Sequence, residues 1–227
     1  MESFITVLKN PSILPLYARW HISQTRRVHG HGVSHFATFG DYFHIHDISP
    51  TKAEMDFLRS IPRGIAIDVG ANIGAWALCL DGLGFAVHCF EPAPDTFARL
   101  SKNCPNLSRH QIAMSDHCGT ATMTNNIRAN ALNHLSADGS CRINTTTLDA
   151  YCANLGTIAF VKIDVEGAEP LVLRGATELL KTRPPLIIEC DAQNLSQIGF
   201  DECDILDPLE RAGYTIKQRE GRNLIAS

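Results

Sequence analysis

An apolar run that leads directly into a glycine-rich turn constrains the fold of this chain more than any other feature. Residues 65–69 read IAIDV, and residues 70–74 read GANIG. A short apolar run of this kind is typical of a buried parallel strand. Glycine lets the backbone turn sharply and lets a ligand approach without a Cβ in the way. The helix predicted from about Ile73 to Leu80 would point its first N–H groups at the same ligand.

The position of the acid in this segment bears on the kind of ligand. A dinucleotide-binding turn would read G-x-G-x-x-G, but the two positions that would need glycine hold Asn72 and Ala75. Asp68, two residues before Gly70, is a poor neighbour for a pyrophosphate and a good one for an ammonium group. The pattern therefore favours a zwitterionic cofactor such as S-adenosylmethionine over NAD. An ordinary glycine-rich turn is the alternative, because glycine motifs have many false positives.

A second predicted strand, residues 85–90, ends at Glu91-Pro92. An acid at the end of the second strand of a βαβ unit is placed to bridge ribose hydroxyls. Glu91 lies about 20 residues beyond the glycine turn, which is the offset that this geometry requires. Pro94 and Asp95 fit the first turn of the helix that follows. The alternative, a solvated loop acid, is the weaker interpretation of Glu91.

Five segments, in order and at sensible spacing, carry a family resemblance: DVGANIG at 68–74, CFEPAP at 89–94, TLDAY at 147–151, VKIDVEGAEPLVLRGA at 161–176 and PPLIIEC at 184–190. Together they resemble the FkbM family of S-adenosylmethionine-dependent methyltransferases over roughly residues 61–191. The resemblance implies the class I methyltransferase fold. It also implies methyl transfer, usually to a hydroxyl of a sugar, polyketide or other small metabolite.

The predicted fourth strand, residues 158–165, ends in a cluster of carboxylates that supplies the candidate catalytic residues. An alcohol acceptor must lose its proton during attack, so a positioned base helps. Asp164 is the first candidate, because it ends the strand expected beside the glycine turn, and Glu166 and Glu169 follow as base or acceptor-binding groups. Glu169 could instead stabilise a helix N-terminus. The predicted cofactor-binding residues are Asp68, Gly70, Ala71, Asn72, Gly74, Glu91, Pro92, Ser115 and Asp164.

A metal-assisted version of this site is the less favoured hypothesis. Asp164 with Glu189 or Asp191 would offer oxygen ligands from adjacent strand ends, which suits Mg²⁺. The sequence His44-Ile45-His46-Asp47 is more often a polar strand face than a metal site. The sequence prediction therefore includes S-adenosylmethionine as cofactor and no assigned metal ligand.

The order of elements predicts an α/β fold with a mostly parallel sheet and an antiparallel C-terminal hairpin. The resemblance implies that this fold is the class I methyltransferase (Rossmann-like) three-layer sandwich. A helix is expected to begin after Thr51, with Glu54 completing a capping box. The polar stretch at 125–140 is either a flexible loop or a lid that contacts the acceptor. The other expected elements are a third strand near 108–114, a strand pair at 120–124 and 142–147, helices at 170–181 and 202–212, a strand at 186–190 and a hairpin at 214–218 and 223–226.

Composition limits the partners and the organisation. The 227 residues suit one methyltransferase domain, 51–227, with an N-terminal extension, 1–50, packing on or near the acceptor site. A net charge of −4 argues against nucleic acid, and no apolar run approaches a membrane span. The resemblance implies a small-molecule hydroxyl acceptor. Eight scattered cysteines without a C-x-x-C pair indicate buried thiols in a reducing cytoplasm. The sequence leaves the oligomeric state open, and a non-catalytic binding protein or a nicotinamide-dependent oxidoreductase are the competing hypotheses.

Overall fold

The apolar runs form the strands of two sheets within residues 49–124 and 139–227, which are the residues that the computed structural model describes. The strands are β1 (Ile65–Val69), β2 (Ala86–Phe90), β3 (Ser108–His110), β4 (Ala113–Met114), β5 (Gly119–Met123), β6 (Cys141–Thr146), β7 (Ile158–Ile163), β8 (Leu186–Glu189), β9 (Ile216–Glu220) and β10 (Asn223–Ala226). The helices are α1 (Lys52–Ser60), α2 (Ala75–Gly82), α3 (Pro94–Asn103), α4 (Leu148–Cys152), α5 (Glu169–Arg174), α6 (Thr177–Lys181), α7 (Ala192–Gln197) and α8 (Cys203–Arg211).

The larger sheet has the strand order β3-β2-β1-β7-β8-β10-β9. Within this sheet, neighbouring strands in the row β3, β2, β1, β7 and β8 are parallel, and β10 is antiparallel to both β8 and β9. The predicted mostly parallel sheet with an antiparallel C-terminal hairpin is therefore confirmed. Since β1 lies between β2 and β7, the carboxyl ends of these three strands meet at one edge, where ligands bind in such sheets.

Helices cover both faces of this sheet, because its strands are apolar on both sides. On one face, Ile67, Phe90 and Ile163 belong to a core that includes residues of α4, α5, α6 and α8. On the other face, Ala66 and Phe160 belong to a core that includes residues of α1, α2 and α3. The three-layer arrangement follows from these two cores.

Helix α1 is fixed to the sheet through its first turn. The Thr51 hydroxyl accepts a hydrogen bond from the Glu54 amide, and the Glu54 carboxylate accepts one from the Thr51 amide, so the predicted capping box is confirmed. Glu54 is fully buried, and its Oε1 also accepts a hydrogen bond from Asn223 Nδ2 at 2.6 Å. The start of α1 is thereby held to β10, one strand away from β8.

Two predicted elements are divided in the structure. The third strand breaks into β3 and β4, which belong to different sheets, because β4 pairs with β6 instead of continuing beside β2. The helix predicted over 170–181 breaks into α5 and α6 at Gly175. A Cβ at Gly175 would lie 2.1 Å from the Ser115 carbonyl oxygen, so the chain needs glycine there for close packing. The strand pair predicted at 120–124 and 142–147 is confirmed as β5 and β6.

Several other expectations meet different outcomes. Cys79, Cys89 and Cys190 are buried as free thiols, as their apolar surroundings in the sequence indicated. Helices α4 and α7 were not predicted; Thr147 and Asp191 cap their first turns.

The His44–Asp47 segment and residues 125–138 lie outside the described residues. Over residues 49–124 and 139–227, no helix combines the length and apolar character that a membrane span needs.

Candidate active site

The glycine turn packs against the end of β7. Gly70 and Gly74 have φ values of 79° and 96°, in the region that favours glycine. A Cβ at Gly70 would lie 1.7 Å from the Asp164 carbonyl oxygen, so the two strand ends approach at backbone contact distance. The Gly70 and Ala71 amides both donate to the Phe90 carbonyl. Those two N–H groups therefore bind β2, and the helix predicted from about Ile73 begins at Ala75.

Glu91 ties the turn to the end of β2. Its Oε2 accepts a hydrogen bond from the Asn72 amide at 3.1 Å, and its Oε1 accepts one from the Ala93 amide at 2.9 Å. The side chain is buried, and burial raises the pKa of Glu91 to about 7, although the two amide hydrogen bonds oppose the shift. Pro92 is half-buried beside it. The carboxylate thus stands where the sequence placed it, between the glycine turn and the second strand end.

Asp164 follows the last residue of β7. Its amide donates to the Val69 carbonyl at 3.0 Å, which continues the pairing of β7 with β1 for one more residue. Its Oδ2 accepts a hydrogen bond from Lys162 Nζ at 2.9 Å. The Asp164 side chain is 28% exposed, while Lys162 is almost fully enclosed. Asp164 therefore presents a carboxylate at the open edge of the sheet, held from behind by a buried ammonium group.

Asp68 lies deeper than its predicted role suggested. It has no exposed surface, and within the described part of the chain neither carboxylate oxygen has a hydrogen-bond partner. Its nearest cation is Lys162, whose Nζ lies 4.0 Å from Oδ1. Burial raises the pKa of Asp68 to about 6, and the Lys162 charge limits that rise. Lys162 is thus the cation that partners Asp68 in the described residues.

Two further carboxylates approach Asp164. Ligand atoms of Asp164, Glu166 and Glu189 lie within 4.8 Å of one another. Asn194 Nδ2 donates to Glu166 at 2.7 Å and to Glu189 at 3.4 Å, and Arg222 lies 3.3 Å from Glu189. Burial, and after it the charges of neighbouring carboxylates, raises the pKa of both Glu166 and Glu189.

The loop that carries Glu166 follows a strand that ends two residues earlier than the predicted end at 165. β7 ends at Ile163, so Asp164 and Glu166 do not share a strand face. Glu166 has a φ of 55°, and a Cβ at Gly167 would lie 2.4 Å from the Asn194 carbonyl oxygen. A tight turn packed on α7 thus brings Glu166 towards Glu189.

Glu169 supports this loop from inside. Its Oε1 accepts hydrogen bonds from the Val165 amide at 2.8 Å and the Gly167 amide at 3.4 Å. The residue is 1% exposed, and burial raises its pKa to about 7. This geometry favours the second interpretation of Glu169, an acid that stabilises the start of a helix and the loop before it.

Ser115 and Asp191 are not members of the carboxylate cluster, although Asp191 lies 3.6 Å from Arg222, the residue that pairs with Glu189. Ser115 follows β4 of the smaller sheet, and its hydroxyl donates to Asp116 at 3.2 Å. Asp191 accepts hydrogen bonds from the Gln193 and Asn194 amides and so caps α7. Of the two acids offered as partners of Asp164 in a metal site, the structure thus brings Glu189 into the cluster, and Glu166 joins it.

Three polar residues of this site were absent from the sequence prediction: Lys162, Asn194 and Arg222. A lysine inside an apolar strand run is itself a signal, because a buried charge requires a partner. Asn194 and Arg222 carried no local signal, since their contacts with Glu189 depend on the packing of α7 and of the β9–β10 turn. The assembled site combines the glycine turn after β1, the buried acid Glu91 after β2 and the carboxylate of Asp164 after β7.

This fold, a mostly parallel sheet between two layers of helices with an antiparallel C-terminal hairpin, is that of a class I methyltransferase. A solved structure, the methyltransferase FkbM from Methylobacillus flagellatus, matches with a TM-score of 0.51 at 16% identity, over 95% of this chain and 58% of that chain. At that identity the likeness shows the fold. The chain spans somewhat over half the length of that protein.

Sequence comparisons narrow the class to a family. A family model described as the methyltransferase FkbM domain matches residues 68–216. The chain is 34% identical over 178 residues to the hexuronic acid methyltransferase AglP of Haloferax volcanii, covering 73% of this chain and 71% of that protein. It is 31% identical over 150 residues to the 2-O-methyltransferase NoeI of Sinorhizobium fredii, covering 54% and 61%. The chain belongs to the FkbM family and is an S-adenosylmethionine-dependent methyltransferase.

Proposed function

We propose that this chain transfers the methyl group of S-adenosylmethionine to a hydroxyl of a small metabolite, a sugar or polyketide, with Asp164 as the base. The position of Asp164 carries this proposal, because it is a partly exposed carboxylate at a strand end, in backbone contact with the glycine turn. The names of two similar proteins, a hexuronic acid methyltransferase and a 2-O-methyltransferase, favour a sugar hydroxyl.

The cofactor would lie across the carboxyl ends of β1, β2 and β7. Glu91 would bind the ribose hydroxyls, and the cofactor's amino-acid end would lie beside the turn from Gly70 to Gly74. Asp68 would act on the cofactor's ammonium group through the field of a buried charge, since its side chain is fully enclosed. Eight free cysteines are consistent with a reducing compartment such as the cytoplasm.

The transfer needs an acceptor oxygen in line with the carbon–sulfur bond of the cofactor. The acceptor oxygen forms the new bond to the methyl carbon, and the electrons of the carbon–sulfur bond remain on sulfur, which becomes neutral. Asp164 takes the hydroxyl proton as the new bond forms. Glu166 and Glu189, whose pKa values are raised, would hold protons at neutral pH and so limit repulsion around Asp164.

We also propose that residues 1–50 contribute to the acceptor side of the site. They precede α1, whose first turn is bound to Asn223 through Glu54. Asn223 pairs with Glu189 in the register of β10 with β8. Two contacts, Glu54 with Asn223 and Asn223 with Glu189, therefore connect the start of α1, which follows the extension, to the carboxylate cluster.

Release of S-adenosylhomocysteine tests the proposed transfer. We expect release when the chain is incubated with S-adenosylmethionine and a panel of glycosides, uronic acids and hydroxylated polyketides, with one methyl group gained by an acceptor. The same acceptors with blocked hydroxyls are the control. S-adenosylmethionine binding without turnover across the panel would favour a non-catalytic protein, and preferential binding of NAD would favour an oxidoreductase.

The same assay with a chelator addresses the metal alternative. The cluster of Asp164, Glu166 and Glu189 already has Lys162 and Arg222 as cationic partners, so we propose transfer without a metal. Activity is then expected to survive chelation. Loss of activity on chelation, with recovery on adding Mg²⁺, would support the metal-assisted hypothesis instead.

A change at Glu91 tests the cofactor side. Glu91→Ala removes the proposed ribose contacts and should weaken S-adenosylmethionine binding about tenfold or more, since each charged hydrogen bond contributes roughly 1.5–3 kcal/mol. Calorimetric titration of the folded variant provides the measurement. Glu178→Ala, at an exposed glutamate of α6, is the matched control. Equal affinity of wild type and Glu91→Ala would remove Glu91 from the cofactor site.

A further inference from the structure

A row of charged residues crosses one face of the large sheet at its carboxyl edge. Asp68 on β1 pairs directly with Lys162 on β7. Asp68 and Lys162 each come two residues after a core residue of the face covered by α1, α2 and α3, and side chains alternate along a strand. Asp164 continues the row at the end of β7. A lysine thus stands between two aspartates, and by the same alternation Glu189, two residues after the core residue Ile187 of β8, lies on this face as well.

Lys162 is enclosed on every side that the structure describes. It is 2% exposed, and its Nζ lies 5.2 Å from the centroid of the Trp76 ring. Burying an ammonium group is costly unless it is paired and hydrogen-bonded. The chain retains this costly burial at the penultimate residue of β7, between Val161 and Ile163.

The position of the ammonium group between the two aspartates is unequal. Nζ lies 2.9 Å from Asp164 Oδ2, within hydrogen-bond distance, and 4.0 Å from Asp68 Oδ1. Asp68, the fully buried partner, is left without a hydrogen bond in the described residues, while the partly exposed Asp164 receives one. If Lys162 served only to neutralise buried charge, the hydrogen bond would be expected at Asp68, where desolvation is complete.

We propose that Lys162 is a positioning residue for methyl transfer, which holds the Asp164 carboxylate in the orientation needed to receive the acceptor proton. The negative charge of Asp68 attracts the ammonium group of Lys162 on the buried side, and the Trp76 ring packs against that ammonium group. The hydrogen bond occupies Oδ2 and leaves Oδ1 to the acceptor. This inference rests on the proposed function, since it assigns to Lys162 a role that acts through Asp164.

The test is a double-mutant cycle on turnover at saturating S-adenosylmethionine. Lys162→Met keeps the length of the side chain and removes its donor and charge. It should lower kcat by about 10- to 100-fold, the scale of a misplaced reacting group, and change cofactor affinity less than about threefold. In the Asp164→Asn background, Lys162→Met should cost less than about a further threefold, because two residues that act as one unit are not additive.

A purely structural role predicts a different pattern. The loss of kcat would then multiply with that of Asp164→Asn, which would overturn the inference. If Lys162→Met fails to fold, Lys162→Met with Asp68→Asn removes the buried pair together and leaves no uncompensated charge. Recovery of kcat in that folded double variant would also overturn the inference, whereas a persisting loss supports it.

The controls separate this inference from the proposed function. Lys181→Met, at an exposed lysine paired with Glu178 on α6, should leave kcat unchanged. If Asp164→Asn alone keeps wild-type turnover, the proposed base is wrong whatever Lys162 does. If Asp164→Asn loses turnover and Lys162→Met does not, the proposed function stands and the role of Lys162 is refuted.

Discussion

Gly70→Ala is expected to abolish cofactor binding. The added Cβ would meet the Asp164 carbonyl oxygen at 1.7 Å, and both groups belong to the backbone, so a strand end must move to admit it. That movement separates the glycine turn from the proposed base. We expect the affinity for S-adenosylmethionine to fall at least about 100-fold, since a misplacement of about 1 Å can have an effect of this size on an active site.

Gly84→Ala is the matched control for this change. Gly84 has a φ of 89°, close to the 79° of Gly70, but a Cβ there would meet nothing within 4 Å. It should therefore suffer only the left-handed backbone cost of roughly 1–2 kcal/mol and retain cofactor affinity. Calorimetry and thermal unfolding on both variants separate the two effects. Wild-type affinity in a folded Gly70→Ala variant would contradict the proposed position of the cofactor.

Asp164→Asn is expected to lower kcat about 100-fold or more while the protein remains folded. The amide keeps the size of the side chain, and its oxygen can still accept the hydrogen bond from Lys162. The substitution removes the ability to take a proton from the acceptor, an effect on the scale of general base catalysis. The rate of S-adenosylhomocysteine release at saturating cofactor and acceptor measures it.

Asp56→Asn serves as the reference for this substitution. Asp56 is also paired with a lysine, Lys52 at 3.2 Å, but both side chains are exposed on α1. Its replacement should change turnover little, and the free energy of unfolding by less than about 1 kcal/mol. A rise in KM for the cofactor with unchanged kcat in Asp164→Asn would show that Asp164 binds the cofactor and is not the base.

Much of this fold follows from local patterns in the sequence. The apolar run before Gly70 predicts β1, and Glu91 marks the end of β2 because strand length and helix length fix its offset. Thr51 and Glu54 predict the start of α1, since a capping box is formed within one turn. The alternation of strands and helices predicts the mostly parallel sheet, the segments at 214–218 and 223–226 predict the C-terminal hairpin, and the observed topology confirms both.

Contacts between distant segments explain what the sequence could not reveal. The break between α5 and α6 depends on Gly175 packing against Ser115, sixty residues earlier in the chain. Glu169 was offered as a catalytic acid because its neighbours in sequence are acids, yet its carboxylate bonds to the loop amides of Val165 and Gly167. Loop geometry and burial determine whether each acid supports the loop or faces the site, and the spacing of acids in the sequence does not contain that information.

The excess of acidic over basic side chains at the end of β7 also affects how the site distinguishes the cofactor from its product. Two carboxylates, those of Asp68 and Asp164, flank the single ammonium group of Lys162. With the cofactor placed as we propose, the positive sulfur of S-adenosylmethionine is attracted to the carboxylate in excess, and the neutral sulfur of S-adenosylhomocysteine is not. Because this attraction ends with each transfer, we expect the site to bind the fresh cofactor more tightly than the spent one.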